Sequence, residues 1–170
     1  MENVKIEDNV KKITGLILKN KQKMIREEDL VNLCGDTSDF NQIIGEVYEN
    51  LLNVGMELIS TKFLEQKYYV LTSEGKDDDI TASQYGTLAL VLAICEELNE
   101  NVLIDDLKEI FSEVWTSDIE FLFEKDLIRK LYVEDLEIIK VTPLGKATLK
   151  NLISDLSLKK LLDVFKENQK

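Results

Sequence analysis

The chain has no histidine. That absence removes the commonest general base, every His-ligated metal site and the His-dependent catalytic triads. Glycine is scarce: seven in 170 residues, and they never form GxG or a phosphate loop. Cys34 and Cys95 are the only cysteines. Both sit inside apolar periodic segments, where a thiol reads as a small core hydrophobe. A disulfide does not fit a chain that otherwise reads as cytoplasmic. The longest apolar run, Leu88 to Cys95, is eight residues. A membrane span needs about 20. Met1 to Lys12 shows no signal-peptide pattern. The expectation is a cytoplasmic protein with no membrane contact.

Basic charge is the other shortage. Lys and Arg number 21 against 33 Asp and Glu, for a net charge of −12. The deficit is shared evenly, −6 over residues 1–80 and −6 over residues 81–170. No Lys or Arg occurs between Glu27 and Thr61, a stretch that carries eight acids. No polybasic arm or basic half is present to lie on a phosphate backbone.

What the chain does have is an ordered echo. Ile25 to Leu33 runs like Val102 to Ile110, at an offset of 77, and Tyr69 to Lys76 runs like Ile139 to Lys146, at an offset of 70. A duplication with a seven-residue length difference explains both offsets. Each copy reads as three helices and a hairpin. In the first, Val10, Ile13, Leu16 and Ile17 repeat at helical spacing within residues 4–20. Met24 and Ile25 form a short extended piece. A second helix starts at Glu27 with acids where its dipole favours them, and Gly35 closes it. Ser38 or Asp39 caps a third helix whose stripe runs from Phe40 to Leu52. The segments 56–60 and 67–72 are strand formers joined as a hairpin.

The second copy follows the same order. A helix begins at Ser83 and runs through Leu98. Val102–Ile104 is a short strand, and a second helix covers Asp105 to Val114. Ser117 or Asp118 caps a third, and 128–133 pairs with 138–142 around Glu134-Asp135. Thr142 then caps a further helix with Pro143 in its first position. A last helix starts at Asp155, with Leu158, Leu161, Leu162 and Phe165 on one face. The fold class expected is mainly α with small β-hairpins (α+β): tandem winged-helix domains plus a C-terminal helix. The first domain is 1–73, an acidic linker is 74–80, and the second domain with its C-terminal helices is 81–170.

Few residues suggest chemistry. Asp77-Asp78-Asp79 could hold a divalent cation, but a solvated acidic linker explains it as well. Glu27-Glu28-Asp29 and Asp105-Asp106 suit helix N-termini. No catalytic residue, cofactor site or metal site is expected. A winged helix ordinarily suggests DNA, with its third helix in the major groove. Here the first copy's second and third helices would repel a polyanion. Lys125, Arg129 and Lys130 near the end of the second copy's third helix read as partners of the helix dipole. Leu88 to Cys95 is apolar around its whole circumference and must be covered on several sides, by the other copy or by another subunit.

Gly55-Met56-Glu57-Leu58-Ile59 with Tyr68-Tyr69-Val70-Leu71-Thr72 is similar to the first wing of the KITE family, the kleisin-interacting tandem winged-helix proteins. Ile80-Thr81-Ala82 leading into Leu88 to Ile94 resembles the start of that family's second winged helix. The likeness is nearest to the segregation and condensation protein B branch. Two features depart from the bacterial pattern. Ile110-Phe111-Ser112 stands where those proteins carry Ile-Arg-Gly, and Thr142-Pro143-Leu144-Gly145-Lys146 looks more like archaeal winged-helix proteins. The resemblance implies a non-enzymatic subunit that binds the kleisin of a prokaryotic SMC complex and, through it, the SMC ATPase. It would support chromosome condensation and segregation near the nucleoid. It also implies homodimerisation, often through the first winged helix. A kleisin helix would dock on the second copy, against Phe111 and Trp115 and against Leu158, Leu161, Leu162 and Phe165, residues that could equally be core. The alternative is a tandem winged-helix transcription regulator.

Overall fold

The computed structural model describes residues 2–35, 40–73, 79–99 and 102–150. The chain divides into two compact units, Met1–Gly75 and Lys76–Lys170. The expected caps Ser38 and Asp39, most of the linker and the C-terminal helix lie outside the described residues.

The first unit is α1 (Glu2–Lys19), β1 (Met24–Arg26), α2 (Glu27–Cys34), α3 (Phe40–Leu52), β2 (Met56–Phe63) and β3 (Gln66–Ser73). Its sheet is antiparallel in the order β1-β3-β2. Ile13 and Ile17 of α1, Leu30 and Cys34 of α2, and Phe40, Ile43, Val47 and Leu51 of α3 form the core. Leu58 and Tyr69 from the sheet close it. Gly35 follows α2 in the left-handed conformation, φ 68°, as its spacing suggests. The hairpin is longer than the strand formers alone predict, because the pairing continues to Phe63↔Gln66. Leu64 and Glu65 make the two-residue turn, both left-handed at φ 50° and 61°.

The second unit repeats this order: α4 (Ala82–Glu97), β4 (Val102–Leu103), α5 (Ile104–Ile110), α6 (Glu120–Glu124), β5 (Ile128–Val133), β6 (Leu136–Val141), then α7 (Pro143–Leu149). Its sheet order, β4-β6-β5, matches that of the first. The match extends to single pairs. Ile25 sits opposite Tyr69 as Val102 sits opposite Ile139. Arg26 sits opposite Tyr68 as Leu103 sits opposite Ile138. These are the partners that the two echo offsets bring into correspondence. The architecture is α+β, a winged-helix topology made twice.

Three differences from the sequence reading bear on the second unit's site. First, α4 begins at Ala82, not Ser83. Thr81 is its cap: its hydroxyl accepts from the Gln84 amide at 3.3 Å, and Gln84 accepts from the Thr81 amide at 2.9 Å. This reciprocal pair satisfies two backbone donors at once. Second, α5 stops at Ile110 rather than Val114. Phe111 leaves helical geometry at φ −108°, a 3₁₀ turn covers Ser112–Val114, and a π-helical turn covers Trp115–Ile119. Third, Ser117 and Asp118 lie inside that π turn and cap nothing. The Asp118 side chain points inward instead.

The apolar helix α4 is covered within its own unit. Tyr85, Leu88, Val91, Leu92 and Cys95 belong to one core with Leu107, Ile119, Leu122, Ile128, Ile139 and Leu149. Thr142 caps α7 as expected, accepting from the Gly145 amide at 3.1 Å. Gly145 packs so closely that a β-carbon there would overlap the Leu127 carbonyl oxygen.

Candidate functional site

Two surfaces bear on function: the outer face of α3, where a winged helix would read DNA, and the α5–α6 side of the second unit. Along α3, Asn41, Gln42, Glu46, Glu49 and Asn50 are exposed. Gln42 donates to Glu46 at 3.1 Å. The helix carries no base and presents amides and carboxylates outward, which repels phosphate.

The start of α2 is pinned to the sheet. The Tyr69 hydroxyl donates to Glu27 at 2.7 Å, and Lys67 pairs with Glu27 at 2.7 Å. Lys67 also lies over the Tyr69 ring, 5.1 Å from its centre. Burial pushes the Glu27 carboxyl up, but Lys67 and Tyr69 outweigh it and hold the group below the ordinary carboxylate range. Burial, then the Glu27 hydrogen bond, pushes the Tyr69 phenol up. The Lys67 ammonium is likewise raised by these two partners. This cluster ties the start of α2 to β3.

The second unit carries a buried carboxylate. Asp118 is 3% exposed. It accepts from Ser83 at 2.7 Å, from Thr87 at 2.8 Å and from Ser117 at 2.9 Å. Burial pushes this carboxyl up, yet the three hydroxyl donors more than offset it and lower its pKa. Asp118, a candidate cap by its place in the sequence, is instead a buried acceptor. The legible signal was the pair Ser83 and Thr87, at i and i+4 on an otherwise apolar helix.

Phe111 is 6% exposed and belongs to the core, so little of its surface is left for a partner. It occupies the place that Cys34 fills in the first unit, where a buried side chain ends the second helix. Trp115 is half-buried and leans on Phe123 at 6.5 Å between ring centres. Lys130 covers the other ring, 5.2 Å from the Phe123 centre. Ile110 stands exposed at the end of α5. The remaining expected docking residues, Leu158, Leu161, Leu162 and Phe165, lie outside the described residues. Of the two described docking candidates, Phe111 is core, and Trp115 packs against the core with part of its surface exposed.

The cations near the end of α6 are paired with acids, and Lys125 is itself the residue that ends the helix. Lys125 meets Asp79 at 3.7 Å, Arg129 meets Asp126, and Lys130 meets Glu137 at 3.7 Å. Cys34 and Cys95 are both buried. Burial pushes the Cys34 thiol up, away from reactivity. Among the described residues, no cluster of three or more Asp, Glu or Cys could hold a metal ion. No described helix is long and apolar enough to cross a membrane.

No protein-family model matches the chain, and no curated protein matches it. A solved structure does. A chain described as an Nse1-Nse3-Nse4 complex superposes with a TM-score of 0.50 at 15% identity. The match covers 99% of this chain and 97% of that one. At that identity it is the fold that is shared.

Proposed function

We propose that this chain is a non-catalytic, KITE-type subunit that binds a kleisin and, through it, an SMC ATPase. The observation that carries this reading is the outer face of α3. A tandem winged helix keeps its groove-reading helix, yet that helix bears Glu46 and Glu49 and no base. The fold has been kept while its DNA-facing chemistry has not. The neighbour's description as part of a named multi-subunit complex supports a subunit role, and the first-wing motif with the segment that opens the second winged helix supports the kleisin as partner. On this reading the protein shapes a chromosome-condensing complex and hydrolyses nothing itself. Self-association through the first unit belongs to the same proposal, since twofold pairing is the commonest route to a dimer.

Trp115 is the residue best placed to anchor a kleisin helix. Its ring leans on Phe123, and the acids of this chain suit a partner helix rimmed with Lys or Arg. The test is purification of the tagged chain from its own cells. Kleisin and SMC subunits should come with it in stable amounts. Recovery of the chain without them, together with tight salt-sensitive binding to duplex DNA, would favour the transcription-regulator reading.

A further inference from the structure

The two wings share one register, so each serves as a control for the other. Leu131 pairs with Ile138 as Thr61 pairs with Tyr68, and Val133 pairs with Leu136 as Phe63 pairs with Gln66. In the second wing Ile128 and Ile139 point into the helical core. By alternation Leu103, Leu131, Val133, Leu136 and Ile138 lie on the opposite, outer face. The first unit carries Arg26, Thr61, Phe63, Gln66 and Tyr68 at those places. One wing has a mixed outer face; the other has five aliphatic side chains, of which Ile138 is buried, Leu103 and Leu131 are half-buried, and Val133 and Leu136 at the tip are exposed.

The difference is greatest at the tip. Val133 is 51% exposed and Leu136 is 55% exposed. Beside them Tyr132, 76% exposed, stands where the first wing has Lys62. The first wing, with the same register at its tip, folds with Thr, Gln and Lys at three of these positions, so the register itself does not demand apolar groups there. Exposed aliphatics gathered on one face mark a contact surface.

Charge narrows the kind of contact. Glu134 and Asp135 form the turn, while Glu137 lies on the core side of β6, paired with Lys130. At the base of the face Arg129 and Lys140 stand opposite each other, with Arg129 held by Asp126. The tip is therefore apolar with an acidic rim, which disfavours nucleic acid and anionic lipid. We propose that the outer face of the second wing, centred on Leu131, Val133 and Leu136, docks a partner-protein segment. That segment presents aliphatic side chains flanked, over the tip, by lysine or arginine. The surface is separate from Trp115, because Lys130 points to the Phe123 side of β5 and Leu131 to the other. The inference does not depend on the kleisin reading.

The experiment uses the full chain and a fluorescein-labelled peptide of alternating leucine and lysine. A leucine–glutamate peptide is the control. The variant is Leu131→Thr with Leu136→Gln, which installs the first wing's own residues. Wild type should bind the lysine peptide saturably, and the variant at least about tenfold more weakly with an unchanged melting midpoint. The glutamate peptide should not bind. If the double variant melts early, the single change Leu136→Lys, at an exposed side chain, is judged by the same loss of binding. Equal binding by wild type and variant, equal binding of the two peptides, or no binding at all would overturn the proposal. So would phosphatidylcholine vesicles that bind wild type and not the variant, or a wild-type dimer that the variant dissociates in the ultracentrifuge.

Discussion

The Thr87 hydroxyl donates to the Asp118 carboxylate at 2.8 Å, across 31 residues of chain. Thr87 lies on the helix that opens the second unit, and Asp118 lies in the π-helical turn that leads into α6. Ser83, one turn earlier on the same helix, holds the same carboxylate oxygen. A π turn widens the backbone and swings its side chains off the regular helical spacing. Here it turns Asp118 toward two hydroxyls that α4 presents one turn apart on the same face.

Removing that carboxylate should loosen the unit. Asp118→Ala leaves the Ser83 and Thr87 hydroxyls without their acceptor and should cost about 3 kcal/mol, the scale of hydrogen bonds to a buried charge. The folded-state pKa is lowered, so the contribution is complete above the unfolded value of about 4 and is lost as pH falls through the folded value. Urea melts of wild type and Asp118→Asn should therefore converge as pH drops below about 4. A constant gap from pH 7 down to pH 2 would show that the charge is not what the hydroxyls stabilise.

Gly145→Ala should destabilise by about 2–3 kcal/mol, through overpacking. The new methyl meets the Leu127 carbonyl oxygen and the Val141 side chain, one of them backbone that cannot rotate aside. Thermal denaturation followed by circular dichroism checks this. A midpoint equal to wild type would mean that α7 can lift off the sheet at little cost.

Duplex DNA should bind poorly. Random-sequence duplex at physiological salt should give a dissociation constant weaker than about 10⁻⁵ M by fluorescence anisotropy, within the weak non-specific range. A constant below about 10⁻⁶ M with a steep salt slope would contradict the acidic face of α3.

Trp115→Ala should leave a folded protein whose kleisin affinity is lower by about 2 kcal/mol or more, as for an interface anchor. Calorimetric titration with the kleisin, paired with a melt, separates the outcomes. Early unfolding would make Trp115 part of the core. Unchanged fold and unchanged affinity would move the docking site elsewhere.

Much of the fold was legible because burial repeats at equivalent places. Leu30 and Leu107 are both fully buried, and the echo aligns them before any coordinates do. Cap chemistry was legible where the residue had one available role, as at Thr142 before Pro143. It misled at Ser83 and Asp118, because a polar side chain near a helix start can equally bond across the fold. Thr81 won the cap because Gln84 sits three residues on to complete the box. Phe111 shows the limit for docking residues. An aromatic ring on a helix face reads the same whether its neighbours are its own core or a partner, and only tertiary packing distinguishes them. Trp115 was separated from Phe111 by the break in α5, which no propensity announces.

Leu64 and Glu65, both left-handed and neither glycine, have a consequence for the order of events in time. Each such residue costs about 1 kcal/mol or more before the strands repay it. A turn of this kind does not nucleate its own hairpin as Asn-Gly would. It should close only after Leu58 and Tyr69 have seats on the helices and β1 holds β3. The tip of the first wing should then be the last part of its unit to form. It should also be the first to open, with the amides of Phe63 and Gln66 exchanging with solvent well before those of Leu30 and Val47.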